Sequence, residues 1–122
     1  MVVGTDTLTS GVVAGFSLHD ELELMVGAGL TSEEALASAT RLPATWLGVD
    51  RDRGTIEVGK RADLVLLDAD PLLAVANTRR IAGVCLSGRW TSRATLDAMM
   101  ADLARRNTAM ERQFNWETVR DG

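Results

Sequence analysis

Asp6 and His19 are the residues of this sequence whose type and position best suit chemistry. Asp6 follows a short apolar run, Val2-Val3, and comes directly after Gly4-Thr5, where a β-strand would end. The carboxyl ends of parallel strands face the ligand crevice of α/β proteins, so an acid there is well placed to act on a ligand. Asp and Gly are also ordinary turn formers, and the stretch alone leaves a plain turn or cap role for Asp6 open.

The sequence contains few of the histidine and cysteine side chains that commonly bind zinc. His19 is its only histidine and Cys85 its only cysteine. A catalytic zinc site uses about three protein ligands and keeps an open position, which Asp6 and His19 together do not supply. The single cysteine also excludes an internal disulfide. Between Val84 and Leu86 it is predicted to be a small, buried and inert thiol.

The composition argues against several classes of partner. The 122 residues fit one domain or one segment of a larger fold. With 46% hydrophobic residues the chain can build a core, and its net charge of -4 lacks the basic footprint of nucleic-acid binding. No apolar run approaches the roughly 20 residues that span a bilayer, and the first residues are not the charged start of a signal peptide. We therefore expect a cytoplasmic protein with no nucleic-acid or membrane partner.

The first half of the chain has helical patterns. Ser17 is predicted to be the N-cap of a helix that ends near Gly27 and Gly29. Thr31 to Glu34 form a T-x-x-E capping box, which opens a second helix. Pro43 is expected to break the helical pattern, and Trp46-Leu47-Gly48 to close the helical half. The predicted buried positions are Leu18, Leu22, Met25 and Val26 in the first helix, and Ala35, Leu36 and Ala39 in the second.

The second half changes to strand patterns. Residues 55–58 alternate as a strand does, and residues 62–68 form an apolar run typical of a buried strand. Residues 81–86 and 89–90 are predicted to pair as a hairpin around the turn Ser87-Gly88. Residues 92–113 are predicted to form one helix with an apolar face. That face carries Leu96, Met99, Met100, Leu103 and Met110.

Several short motifs then follow one another at defined spacings. In chain order they are Gly4-Thr5-Asp6, His19-Asp20-Glu21-Leu22, Ala28-Gly29-Leu30-Thr31, Glu34-Ala35-Leu36, Ala39-Thr40, the block G-T-I-E-V-G-K-R-A-D-L-V from Gly54 to Val65, and Asp70-Pro71-Leu72. This series resembles the C-terminal third of a metal-dependent amidohydrolase. The similarity is to the imidazolonepropionase-like and prolidase-like branch of that superfamily.

The resemblance implies an α/β fold that is one piece of a larger protein. Residues 1–50 would be the last strand and following helices of a (β/α)8 barrel. Residues 51–91 would be the C-terminal strands of a composite small β domain that flanks the barrel. Residues 92–122 would be a C-terminal helix and tail.

The resemblance also implies a chemistry. Family members hydrolyse carbon-nitrogen bonds in amides, cyclic amides or dipeptides, and an aspartate at the end of strand eight binds the divalent metal, expected to be zinc, and moves protons. Asp6 stands where that aspartate belongs. His19 resembles a histidine near the mouth of the active site, where it would contact substrate or brace the loop after strand eight. A partly exposed helix histidine without such a role is the equal alternative.

The remaining ligands of the family lie upstream of this region: a His-x-His pair, a lysine or glutamate, and two further histidines. We therefore expect the chain to be a fragment that is inactive alone and binds no metal alone. Its partner would be the missing N-terminal barrel portion, or another copy in an oligomer. The alternative is a non-catalytic stand-alone domain, or a subunit of a split enzyme, that works by self-association or partner binding.

Overall fold

The computed structural model describes residues 1–6 and 13–113. The described residues combine helices with a three-stranded sheet. The helices are α1 (Ser17–Gly27), α2 (Ser32–Ala39), α3 (Arg41–Trp46), a 3-10 helix (Val75–Arg79) and α4 (Arg93–Gln113), and the strands are β1 (Leu64–Leu67), β2 (Ile81–Leu86) and β3 (Arg89–Ser92). Among these residues, no helix is both long and apolar enough to cross a membrane.

The core lies between α1, α2 and the 3-10 helix. Leu22 and Met25 of α1 are buried against Ala35 and Val75, as the apolar spacing of α1 predicts. Leu18 lies at the margin of this face and is 36% exposed. The predicted buried face of α1 is therefore confirmed at its centre and is wrong at its N-terminal edge.

The two ends of α1 follow different rules. At the C-terminus Gly29 has a φ of 106°, and the Leu30 and Gly29 amides donate to the carbonyls of Met25 and Val26 at 3.1 and 3.0 Å. This is the Schellman arrangement that a glycine after a helix favours. At the N-terminus the predicted cap is wrong by one residue, because Ser17 is already helical and its hydroxyl accepts from the Val13 amide instead.

The capping box of α2 is confirmed. The Thr31 hydroxyl accepts from the Glu34 amide at 3.2 Å, and the Glu34 carboxylate accepts from the Thr31 amide at 2.8 Å. The predicted buried stripe is only partly right, since Ala37 and Ser38 are more buried than Leu36. α2 packs against α1, α3 and the 3-10 helix, so more than one of its faces is covered.

The helical half ends with α3 at Trp46, as predicted, but Pro43 does not break the helical pattern. It occupies the third position of α3, where the backbone has no intrahelical acceptor for an amide hydrogen and a proline therefore costs little.

The sheet is antiparallel with the order β1-β2-β3. The predicted hairpin is confirmed: Ser87 and Gly88, with φ of 51° and 78°, join β2 to β3. β1 is found within the predicted apolar run, but it is not buried, because Val65 and Leu66 are each 56% exposed. Cys85 on β2 is half-buried rather than buried.

Residues 55–58 do not form the predicted strand. Ile56 and Val58 are exposed, and Lys60 instead ties this segment together by donating to Thr55, Glu57 and the Asp50 carbonyl. Alternation alone does not make a strand where no neighbouring strand offers backbone partners.

The predicted C-terminal helix is confirmed as α4, which contacts β2 and β3. Its apolar face remains largely outside the core. Met99, Met100 and Leu103 are all about half exposed. The side chain of Met110 lies outside the described residues.

Candidate active site

Asp6 lies at the exposed end of the N-terminal segment. Its φ of 47° places it in the left-handed region of backbone space. Few residues other than glycine adopt this conformation, although aspartate does so more readily than most, and it is concentrated at functional sites. The residue that carries the candidate catalytic carboxylate therefore has a backbone conformation that is uncommon outside glycine.

Hydrogen bonds from two backbone amides fix the segment that leads to Asp6. The Val3 amide donates to the Ser38 carbonyl on α2 at 3.1 Å, and the Val3 side chain packs against the core. The Gly4 amide donates to Oε1 of Glu21 on α1 at 3.0 Å. Residues 2 and 3 are not a β-strand as predicted, because the described part of the chain places no strand beside them.

His19 joins α1 to the 3-10 helix. Its Nδ1 lies 2.9 Å from Oγ1 of Thr78, a buried residue whose hydroxyl donates to the Val75 carbonyl at 2.8 Å. Because a threonine hydroxyl has one hydrogen, the network assigns the donor in the first bond to His19. The imidazole is then protonated on Nδ1, and Nε2 keeps its lone pair.

Charged side chains surround His19. Arg79 forms ion pairs with Asp20 and Glu23 at 2.5 and 2.8 Å. Partial burial lowers the pKa of His19, and the positive charge of Arg79 lowers it further, while Asp20 and Glu23 oppose the shift. The two carboxylates raise the pKa of Arg79. The neutral imidazole is thus the form that this environment favours.

Asp6 and His19 are held by different elements. The segment of Asp6 is tied to Glu21, which lies two residues after His19 on α1. Residues two apart on a helix point roughly 200° apart and do not face each other. His19 is thus directed toward Thr78 on a different side of α1 from the Gly4 contact.

Glu21 and Thr78 are contacts that the sequence did not single out. Glu21 belongs to the His-Asp-Glu-Leu motif, but nothing in that motif shows which of its acids reaches the N-terminal segment. Thr78 is distant from His19 in sequence and meets it only through tertiary packing. Within residues 1–6 and 13–113, no group of three or more His, Cys, Asp or Glu side chains could hold a metal ion.

The family model of the amidohydrolase family matches residues 1–91. The chain belongs to the amidohydrolase family. The predicted resemblance is therefore confirmed, and the match ends near the end of β3, before α4 begins.

Two relatives and one solved structure illustrate the similarity. N-acetylglucosamine-6-phosphate deacetylase of Caenorhabditis elegans is 48% identical over 65 residues, which cover 53% of this chain and 15% of the relative. Imidazolonepropionase of Maricaulis maris (strain MCS10) is 40% identical over 65 residues, covering 51% of this chain and 16% of the relative. The structure of a Xaa-Pro dipeptidase with bound methionine is 28% identical with a TM-score of 0.58, covering 61% of this chain and 18% of that protein. The chain spans about a sixth of the length of these relatives.

Proposed function

We propose that this chain is the C-terminal segment of a metal-dependent hydrolase that acts on carbon-nitrogen bonds, and that Asp6 is its acid-base residue. The observation that carries the proposal is the left-handed backbone conformation of Asp6 at the end of a tethered segment. The carboxylate follows a segment anchored at two consecutive amides, stands at an exposed end, and has a backbone conformation concentrated at functional sites. A deacetylase and a dipeptidase among the relatives support an amide or dipeptide as the substrate class.

The proposed role of Asp6 is proton transfer. Its carboxylate accepts a proton from the water that attacks the carbonyl carbon, so that the new carbon-oxygen bond forms without free hydroxide. The same carboxyl group then gives that proton to the nitrogen as the carbon-nitrogen bond breaks. The leaving group departs as a neutral amine, and Asp6 returns to its ionised form.

The described residues do not by themselves fit a catalytic metal. A zinc site needs about three protein ligands, and no such cluster is present in the described ranges. In the proposed enzyme Asp6 contributes one ligand, and the other ligands come from the remainder of the barrel. No step of the mechanism above depends on groups of this chain other than Asp6.

A second candidate function is partner binding without catalysis, as a stand-alone domain or a subunit of a split enzyme. The exposed apolar residues of β1 and α4 favour it, because such surfaces mark interaction sites. Both candidates predict association with another chain. They differ in whether Asp6 affects turnover in the assembled protein.

The test is a reconstitution. The chain is combined, in trans or by fusion, with an N-terminal amidohydrolase barrel portion that carries the remaining metal ligands, and the pair is assayed on a panel of N-acyl amino acids and dipeptides. Asp6→Asn is expected to lower kcat by about 100-fold or more, the scale usual for general acid-base catalysis. Asp68→Asn, which makes the same change at an exposed strand-end acid, is the matched control and should retain activity. Hydrolysis by the Asp6→Asn pair at the parental rate would overturn the catalytic role and favour the second candidate.

A further inference from the structure

We infer that Glu21 is a positioning residue for Asp6: its carboxylate holds the backbone segment from which the catalytic carboxylate projects. The inference rests on the proposed function of Asp6, and it assigns a role to a second acid of the chain. Glu21 acts through the backbone amide of Gly4, which lies two residues before Asp6 in the chain.

The contact joins α1 to the N-terminal segment. Oε1 of Glu21 accepts from the Gly4 amide at 3.0 Å. An ionised acceptor makes this bond stronger than one between neutral groups. The neighbouring Val3 amide is bound to the Ser38 carbonyl, so two successive amides just before Asp6 are held by two different helices.

The burial of the second oxygen of Glu21 argues against a purely structural role. Oε2 is buried and has no hydrogen-bond partner among the described residues. Burial of a charged oxygen without a donor is unfavourable, and such groups are rare in native proteins unless they serve another purpose. A neutral side chain at position 21 would avoid this cost.

The purpose that fits is control of the Asp6 backbone. Fixing the preceding backbone helps Asp6 keep its left-handed conformation, because that conformation is less favourable for a residue with a side chain than for glycine. A catalytic carboxylate displaced by about 1 Å can lose about 100-fold in rate. The Gly4 tether therefore sets where the Asp6 carboxylate stands relative to the substrate.

The test compares three variants on one helix. Glu21→Ala removes the acceptor, Glu21→Gln keeps a carbonyl oxygen that can accept from Gly4, and Glu23→Ala is the matched control. Glu23 is also on α1 but pairs with Arg79 instead. In the reconstituted enzyme, Glu21→Ala should lower kcat roughly 10- to 100-fold with little change in KM. Glu21→Gln should restore most of kcat, and Glu23→Ala should leave it unchanged.

A second readout uses the complete 122-residue chain without activity. The Gly4 amide should exchange its hydrogen faster with solvent in Glu21→Ala than in the parent or in Glu23→Ala, as followed by NMR. Unchanged Gly4 exchange in Glu21→Ala would overturn the tether whatever the activity. Parental kcat in Glu21→Ala, alongside an impaired Asp6→Asn enzyme, would overturn only the positioning role. Parental kcat in Asp6→Asn would instead overturn the proposed function itself.

Discussion

At the residue scale, His19 shows how a tertiary contact sets the state of a titratable group. Thr78 lies far from His19 in the sequence. Because its hydroxyl already donates to the Val75 carbonyl, it accepts from His19 and so fixes the imidazole tautomer. Burial and Arg79 lower the pKa of the ring. The histidine thus has the character of a neutral brace between α1 and the 3-10 helix, and its role toward a substrate stays a prediction.

The lowered pKa predicts a pH-dependent stability. The unfolded chain takes up a proton on His19 near its usual pKa of about 6.5, whereas the folded chain does so only at lower pH. The stabilisation is therefore fully present above about pH 6.5 and is lost as the pH falls through the folded-state pKa. Because Glu34 and Glu57 have lowered pKa values, their contributions fall in a more acid range.

Two measurements check this expectation. An NMR titration of the single histidine should give a folded-state pKa below its usual value. Urea unfolding at about pH 7.5 and about pH 5.5 should show a lower free energy of unfolding at the acid pH, with a smaller difference in His19→Gln. A folded-state pKa at or above the usual value would contradict the prediction.

At the element scale, signals confined to a few residues were readable from the sequence. Residues close together in the sequence specify three such features: the Thr31 to Glu34 capping box, the Ser87-Gly88 turn and α4. Features that need a distant partner were not. The segment 55–58 alternates like a strand, but no strand among the described residues pairs with it.

The candidate site likewise combines one feature that the sequence reveals with a tertiary contact that it does not. The position of Asp6 at the end of a short apolar segment follows from the local motif, and the structure gives Asp6 a left-handed backbone conformation there. The contact of Glu21 with Gly4 depends on how α1 packs across the N-terminal segment. Pairings of this kind arise from tertiary structure, and one sequence does not reveal them.

The capping box of α2 gives a prediction about stability. Thr31→Ala removes the hydroxyl that accepts from the Glu34 amide, which leaves an unpaired donor at the helix start. The free energy of unfolding should fall by about 1 kcal/mol, within a range of roughly 0.5 to 2. Thr45→Ala is the control, because this exposed threonine lies inside α3 and caps nothing. Equal stability of the Thr31→Ala chain and the parent in urea unfolding would contradict the prediction.

At the scale of the whole molecule, the sheet is not closed by the described residues. β1 is an edge strand that pairs only with β2 among them. Leu66 and Val65 point to opposite faces of β1 and are each 56% exposed. A strand that is apolar on both sides is typical of one covered on both faces in an assembled protein. The segments that match this chain make up only 15% and 16% of the two relatives. The family therefore has further chain that can cover the strand.

The exposed edge predicts that the isolated chain associates with copies of itself. An apolar edge strand offers both backbone partners and apolar surface to another chain. Sedimentation at micromolar concentration should therefore show species larger than the monomer.

Val65→Lys should weaken the association by about tenfold or more, since losing one buried valine side chain costs roughly 1.5 kcal/mol. Thr45→Lys adds the same charge at an exposed site on α3 and should leave the association unchanged. Because the Val65 side chain is already exposed, the folded monomer should tolerate the lysine. A parental chain that sediments as a monomer, or equal effects of the two lysines, would show that the β1 edge is not the surface through which the chain associates.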